Sequence, residues 1–242
     1  MTRVVLSGAC GRMGSVVANL VEQQTDMQLN GGVEAFGHSR LGMPLGRGAV
    51  VCDLKTIVAD ADVIVEFGPT EVALEHLGLA SERRKPFVLG TTGFQSGQMQ
   101  EIERLAGSVP VVYAPNFSAG IAIMSRIAGE AVRLLGPGYD CEIVEMHHRH
   151  KKDAPSGTAK KLVEALGKAG EKGVTVHSIR AGDIVGDHTV ILAGEGERVE
   201  LTHKASSRVA FAQGVLRAIR FIKGKPNGLY SIEDVLGLKT QP

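Results

Sequence analysis

In the first half of the chain, apolar residues fall into short β-branched runs separated by segments with helical spacing. Val4-Val5-Leu6 is the first run, and a helical pattern follows over about Arg12–Gln23. Gln28–Val33, Asp62–Phe67, Phe87–Leu89 and Val109–Val112 read as further strands, with helices near Thr70–Ala80 and Gln98–Ala106. Continuous apolar strands joined by helices predict a parallel sheet covered on both faces, in a doubly wound α/β domain. After a helix over Ala119–Leu135 the order changes to a strand at 140–147, a helix at 157–167, and strands near Val174–Arg180, Asp183–Ala193 and Arg198–Ser206. Short glycine-containing or charged turns join the last three, which predicts antiparallel pairing. A helix near Val209–Ile222 and a turn at Lys225–Gly228 follow. This second half predicts an α+β domain with an open mixed sheet. The expected division is 1–118 for the first domain, completed by 229–242, and 119–228 for the second. The chain is expected to cross between them near Phe117–Ala119 and Asn227–Tyr230.

Composition narrows the function classes. Lys and Arg number 27 against 26 for Asp and Glu in 242 residues, so overall charge gives no case for nucleic acid or an anionic membrane. No apolar run approaches the roughly 20 residues that span a bilayer. The stretch before the first glycine is too short for a signal peptide and reads as a strand. Cys10, Cys52 and Cys141 are odd in number and far apart, which predicts free thiols in a reducing cytoplasm.

The glycines matter because of where they fall. The first strand runs directly into Gly8-Ala9-Cys10-Gly11-Arg12-Met13-Gly14 and then a helix, the position where a nucleotide pyrophosphate would approach backbone N–H groups. Cys10 stands where the commoner G-x-G-x-x-G pattern has its second glycine. Glu34 ends the second strand, where a carboxylate can accept hydrogen bonds from ribose hydroxyls. Phe67–Thr70, Gly90-Thr91-Thr92-Gly93 and Ala114-Pro115-Asn116-Phe117-Ser118 each follow a strand, at the sheet edge where open α/β folds bind ligands.

The densest chemistry lies in Glu145-Met-His-His-Arg-His-Lys-Lys-Asp-Ala-Pro-Ser-Gly-Thr158. Histidine supplies a proton near neutral pH, and a helix's first turn offers N–H groups to a carboxylate. A plain reading is a solvated cationic turn before a serine-capped helix. A metal site is a third option, opposed by the adjacent Lys and Arg and by the absence of Cys-x-x-Cys or His-Glu-x-x-His spacing. No metal is expected.

Taken in order, the glycine turn ending Gly-Arg-Met-Gly14, Gly90–Gly93, Ala114–Gly120 and His147–Thr158 resemble bacterial dihydrodipicolinate reductases over essentially the whole chain. The resemblance implies a Rossmann-type first domain and a second domain for substrate binding, catalysis and oligomerisation. It further implies reduction with NADH or NADPH in the diaminopimelate route to lysine, a small dicarboxylate substrate, a cytoplasmic homotetramer, and no membrane or nucleic-acid partner. His147 becomes the candidate acid/base and Lys151 the proton donor, with His148, Lys151, Ser156, Gly157 and Thr158 holding the substrate carboxylates. Gly8, Ala9, Cys10, Gly11, Arg12, Met13 and Glu34 would meet the pyrophosphate and ribose. Gly90, Thr91, Thr92, Ala114, Pro115, Asn116 and Phe117 would line the nicotinamide side.

Two departures stand out. The chain is shorter than many relatives, so surface segments must be trimmed. Ala35 follows Glu34 where several relatives carry Arg, which leans the cofactor reading towards NADH, with Arg12, His38 and Arg40 as cations that could still reach a 2′-phosphate. The competing readings are another two-domain oxidoreductase of the aspartate or homoserine dehydrogenase type, and a nucleotide-sensing protein without catalysis.

Overall fold

The computed structural model describes residues 1–238. Residues 239–242 of the expected C-terminal return lie outside the described residues. The elements are β1 (Thr2–Ser7), α1 (Gly14–Glu22), β2 (Met27–Val33), β3 (Pro44–Leu45), β4 (Gly48–Val51), β5 (Val63–Glu66), α2 (Thr70–Glu82), β6 (Phe87–Leu89), α3 (Ser96–Ala106) and β7 (Pro110–Tyr113). Then come α4 (Ala119–Leu135), β8 (Asp140–His147), α5 (Gly157–Lys168), β9 (Thr175–Arg180), β10 (Asp187–Gly194), β11 (Glu197–Lys204), α6 (Val209–Ile222), β12 (Gly228–Tyr230) and α7 (Ile232–Val235). The chain forms two compact units, Ser118–Ala210 and the segments on either side of it.

The first unit is a sheet in the order β12-β7-β6-β5-β1-β2-β4-β3, parallel except for the small β3–β4 hairpin. Val4, Val5, Leu6, Val63, Ile64, Val65, Phe87 and Val88 have no exposed surface, because helices or loops cover both faces of these strands. β1 pairs with β2 on one side and β5 on the other, so strand order reverses beside the first strand. Such a switch point opens a crevice at the carboxyl ends of the strands. The glycine turn, Glu34, the turn after β5, and the turns after β6 and β7 all lie on that edge.

The structure corrects the expected return point. The chain rejoins the first unit at Phe211 rather than near 229, so α6 belongs mainly with the parallel sheet. Sequence gave no warning, since an amphipathic helix does not name its partner sheet. Gly214 decides the packing: a Cβ there would lie 1.8 Å from the carbonyl oxygen of Phe117, so α6 touches backbone. Arg220 of α6 also pairs with Asp26 at 2.7 Å, and Lys223 donates to Thr2 at 3.0 Å.

The second unit is a four-stranded sheet in the order β11-β10-β8-β9. It is mixed, as expected, with one expected pairing overturned. β9 does not pair with β10; it lies parallel to β8 at the edge, with α5 as the crossover. A parallel partner needs a long connection, and α5 supplies it. β8 and β10 alternate strictly, so Cys141, Ile143, Glu145 and His147 share one buried face with His188, Val190 and Leu192. The apolar members of that face pack with Ile121, Met124 and Ala128 of α4 and Leu162 and Leu166 of α5. At the carboxyl end of β8 the same face turns from core into polar network. No described helix is long and apolar enough to cross a membrane.

Candidate active site

Residues of a β-strand two apart point the same way, so Glu145 and His147 are neighbours on the covered face of β8. The His147 Nδ1 lies 2.5 Å from Glu145 Oε2. Strand register brings two further groups. β9 places Arg180 beside His147, and its guanidinium donates from Nη1 to Glu145 Oε2 at 2.9 Å and from Nη2 to Oε1 at 2.7 Å. β10 sets His188 opposite Glu145, with its ring edge-on to His147 at 5.2 Å between centroids.

Glu145 is fully buried, and burial alone would raise its pKa; hydrogen bonds from Arg180, Ser178 and His147 outweigh this and hold it at about 2. It is therefore a fixed anion. Burial pulls the His147 pKa below 6.5, with Lys151 and Arg180 pulling the same way and Glu145 opposing them. His188, deeper still, falls to about 4 through burial first and the neighbouring His147 second, so it is neutral at pH 7.

The loop after β8 carries the other expected residues. Lys151 pairs with Asp153 at 2.9 Å, an ion pair whose carboxylate is more than half exposed and therefore weakly held. His148 has a buried Nδ1 with no hydrogen-bond partner, the kind of orphaned donor or acceptor that a bound carboxylate would satisfy. The Ala154–Pro155 peptide is cis and leads into Ser156. Ser156 caps α5 by accepting from Ala159 N at 3.1 Å; its hydroxyl also meets His188 Nε2 at 3.2 Å, and its N–H donates to Glu145 Oε1 at 3.2 Å. With only 1% of its surface exposed, Ser156 uses its hydroxyl and N–H to hold the loop. Gly157 is different: a Cβ there would meet nothing within 4 Å, so the first turn of α5 is open above it, with Thr158 next along the helix.

In the first unit, the residues suit a dinucleotide's pyrophosphate and ribose. Gly8 has φ of +69°, which favours glycine, and a Cβ on Gly14 would lie 2.0 Å from the Gly8 carbonyl oxygen. The turn therefore packs tightly against α1, whose N-terminus no side chain caps. With no side chain closing it, the start of α1 is a place where an anion can approach. Glu34 accepts from Cys10 N at 2.6 Å, so the acid is tied to the glycine turn itself. Ala9 is buried, while Gly11 and Arg12 are exposed and Met13 half-buried. The Cys10 thiol is raised by burial and then by Glu34, while Arg40 hydrogen-bonds to it and lowers it. His38 lies within 4.8 Å of the Cys10 and Glu34 ligand atoms, so the 35–43 loop does fold back towards Glu34.

The nicotinamide-side turns are braced by a second buried carboxylate. Glu66 accepts from Gly68 N at 2.5 Å and contacts His76 Nδ1 at 2.6 Å, while Thr91 donates to Gly68 O at 2.8 Å. Glycine at position 90 lets the Phe67 ring pack against the backbone, since a Cβ there would lie 2.3 Å from the ring. Thr92 is exposed, and Pro115 and Asn116 are half-buried. Ala114 and Phe117 are buried.

Models of the dihydrodipicolinate reductase N-terminus and C-terminus match residues 2–117 and 120–236. The chain belongs to the dihydrodipicolinate reductase family. It is thus an oxidoreductase. A 4-hydroxy-tetrahydrodipicolinate reductase of Chromohalobacter salexigens is 41% identical over 268 aligned positions, covering 99% of this chain and 100% of the relative. One from Hahella chejuensis is 42% identical, covering 99% and 100%. Alignments longer than the 242 residues here mean that this member of the family lacks segments its relatives have, as expected. A dipicolinate-bound dihydrodipicolinate reductase from Paenisporosarcina superposes with a TM-score of 0.82 at 27% identity, covering 96% and 97% of the two chains. An aspartate dehydrogenase from Thermotoga maritima reaches a TM-score of 0.57 at 12% identity, a likeness of fold alone.

Glu145, Arg180, His188 and Glu66 were not among the expected site residues of this reductase-family chain. A signal existed for Glu145, two positions before His147 on a strand. None existed for Arg180 or His188, whose places depend on pairing across the sheet.

Proposed function

We propose that this chain carries out the reaction of its family, NAD(P)H-dependent reduction of the dihydrodipicolinate-type intermediate to tetrahydrodipicolinate, in the diaminopimelate route to lysine. The observation that carries the reading is the full-length family match together with an intact His147–Lys151–Gly157–Thr158 region built around a buried imidazole. A bound nicotinamide supplies the hydride. The chain's own part is to hold a dianion and deliver one proton. His148 and Lys151 offer cationic or donor groups to the carboxylates, and the start of α5 is open at Gly157, where a carboxylate can approach the helix N-terminus beside Thr158. Hydride addition to a carbon conjugated with an imine leaves charge on nitrogen, which His147 or Lys151 quenches. Burial lowers the His147 pKa, which makes its protonated form a stronger acid towards the nitrogen.

Either cofactor is accepted, with NADH used at least as well as NADPH. Glu34 suits free ribose hydroxyls and repels a 2′-phosphate, and Ala35 adds no cation. Arg40, against the Cys10 thiol, is the main opposing charge. Relative kcat/KM for the two cofactors tests this, and a clear NADPH preference abolished by Arg40→Ala would show that Arg40 prevails. The working form is a cytoplasmic homotetramer, which light scattering of the purified protein checks.

Oxidation of NADH with freshly made dihydrodipicolinate synthase product tests the activity itself. No oxidation, with cofactor binding intact, would leave a nucleotide-binding protein without catalysis. Turnover of aspartate or homoserine instead would favour the other dehydrogenase reading.

A further inference from the structure

The Glu145 carboxylate has more work than its position in a sheet explains. It is fully buried, yet it accepts from Arg180 at 2.7 and 2.9 Å and from Ser156 N at 3.2 Å, and it holds the His147 Nδ1 at 2.5 Å. Arg180 reaches further: its Nη2 also donates to the backbone carbonyl of Asp153 at 2.6 Å. One ion pair therefore ties together the end of β9, the imidazole, the cap of α5 and the loop that carries His148 and Lys151. An ionised carboxylate only accepts hydrogen bonds, so the imidazole nitrogen facing it has to carry the proton. That leaves Nε2 as the exchanging atom. Its surroundings agree, because a Cβ on Gly186 would lie 3.1 Å from Nε2, and glycine there keeps the space clear.

We infer that Glu145 and Arg180 are a positioning pair for proton transfer: Glu145 locks His147 in the Nδ1–H tautomer with Nε2 as the working nitrogen, and Arg180 locks Glu145 to the carboxylate-binding loop. Neither touches substrate. The inference rests on His147 being the acid/base. The charged and titratable groups that face His147 are Glu145 on its own strand, Arg180 from β9, Lys151 from the loop and His188 from β10. Of these only Glu145 is anionic. Removing its charge lowers the proton affinity of His147, so the rate falls off with rising pH at a lower pH than in the parent.

The first measurement needs no variant. Nitrogen-15 NMR of His147 in the unliganded wild-type protein is expected to show a protonated Nδ1 and a bare Nε2 above its pKa; the opposite tautomer overturns the inference. The second is Glu145→Gln. It is expected to reduce kcat by about 10- to 100-fold, in the range typical of groups that orient a functional histidine, to shift the alkaline limb of the kcat profile to lower pH, and to leave KM for the nicotinamide cofactor unchanged. Should Glu145→Gln fail to fold, Arg180→Lys keeps the charge but loses the two-pronged contact, and the same fall in kcat is expected. An unchanged pH profile and kcat in a folded variant overturn the inference. His147→Ala separates the two levels: full activity in that variant removes the acid/base reading, whereas the tautomer measurement addresses Glu145 directly.

Discussion

Lys151 and His188 show how differently two nearby basic residues can serve one site. Lys151 is part-exposed on a loop and, among the described residues, pairs with the exposed Asp153, so it is available to a substrate. Lys151→Ala is expected to lower turnover by about 10²- to 10⁴-fold, the usual cost of a lost proton-transfer group, while the dissociation constant for NADH stays within a small factor. Cofactor titration and single-turnover kinetics check this, and a loss confined to NADH affinity would contradict the role. His188 is 3% exposed and serves stability. Its pKa is about 4 when folded against 6.5 for a free imidazole, so the folded state binds fewer protons than the unfolded state between those values. Its contribution is complete above pH 6.5 and is lost as pH falls towards 4, a difference of about 3 kcal/mol. His188→Gln is expected to be less stable at pH 7, yet to lose less stability than the parent on going to pH 4.5. Urea unfolding at both pH values decides it, and parallel losses would contradict it.

At the scale of elements, most of what matters was legible. α4 over Ala119–Leu135, β8 over 140–147 and α6 over Val209–Ile222 match their expected bounds because each carries a strong local period. The β3–β4 hairpin was missed, since two residues in β3 and four in β4 are too few to show alternation. The partner of β9 was misread for another reason: short turns suggest hairpins, but they do not exclude a crossover that α5 makes possible. Helix α6 gives a test of element packing. Gly214→Ala would set a methyl group against the Phe117 carbonyl, a backbone atom with little freedom to yield. Overpacking commonly costs about 1–3 kcal/mol, and this contact belongs at the upper end or beyond. The expected result is a lower urea midpoint with an unchanged m-value; an unchanged midpoint would show that α6 can move away freely.

For the whole molecule, the division of labour should be visible on ligand binding. The cofactor-fitting glycines, Glu34 and the Glu66-braced turn all lie in the first unit, whereas the Glu145–His147–Arg180 network lies in the second. NADH at about 100 times its dissociation constant is expected to add about 2.7 kcal/mol of stability. Hydrogen exchange with NADH alone is expected to slow at Gly8–Ser15 and Gly68–Thr70, and to leave β8 and α5 near their unliganded rates. Pyridine-2,6-dicarboxylate, a planar dianion, is expected to protect residues 148–160. Protection of that second region by NADH alone would contradict this assignment of roles.

The sequence by itself determined what depends on neighbours along the chain: the period of each helix and strand, the glycine turn after β1, the Ser156 cap, and the cationic loop that identifies the family. Tertiary structure decided what depends on pairing across the sheets. Arg180 reaches Glu145, and His188 reaches His147 and Ser156, only because β9 runs parallel to β8 and β10 antiparallel to it in one particular register. A slip of one residue would turn both side chains to the opposite face. No local pattern encodes that register. It is fixed by burying Ile143, Val190 and Leu192 together beneath α4 and α5, and the polar network at the end of the same strands takes its geometry from that apolar fit.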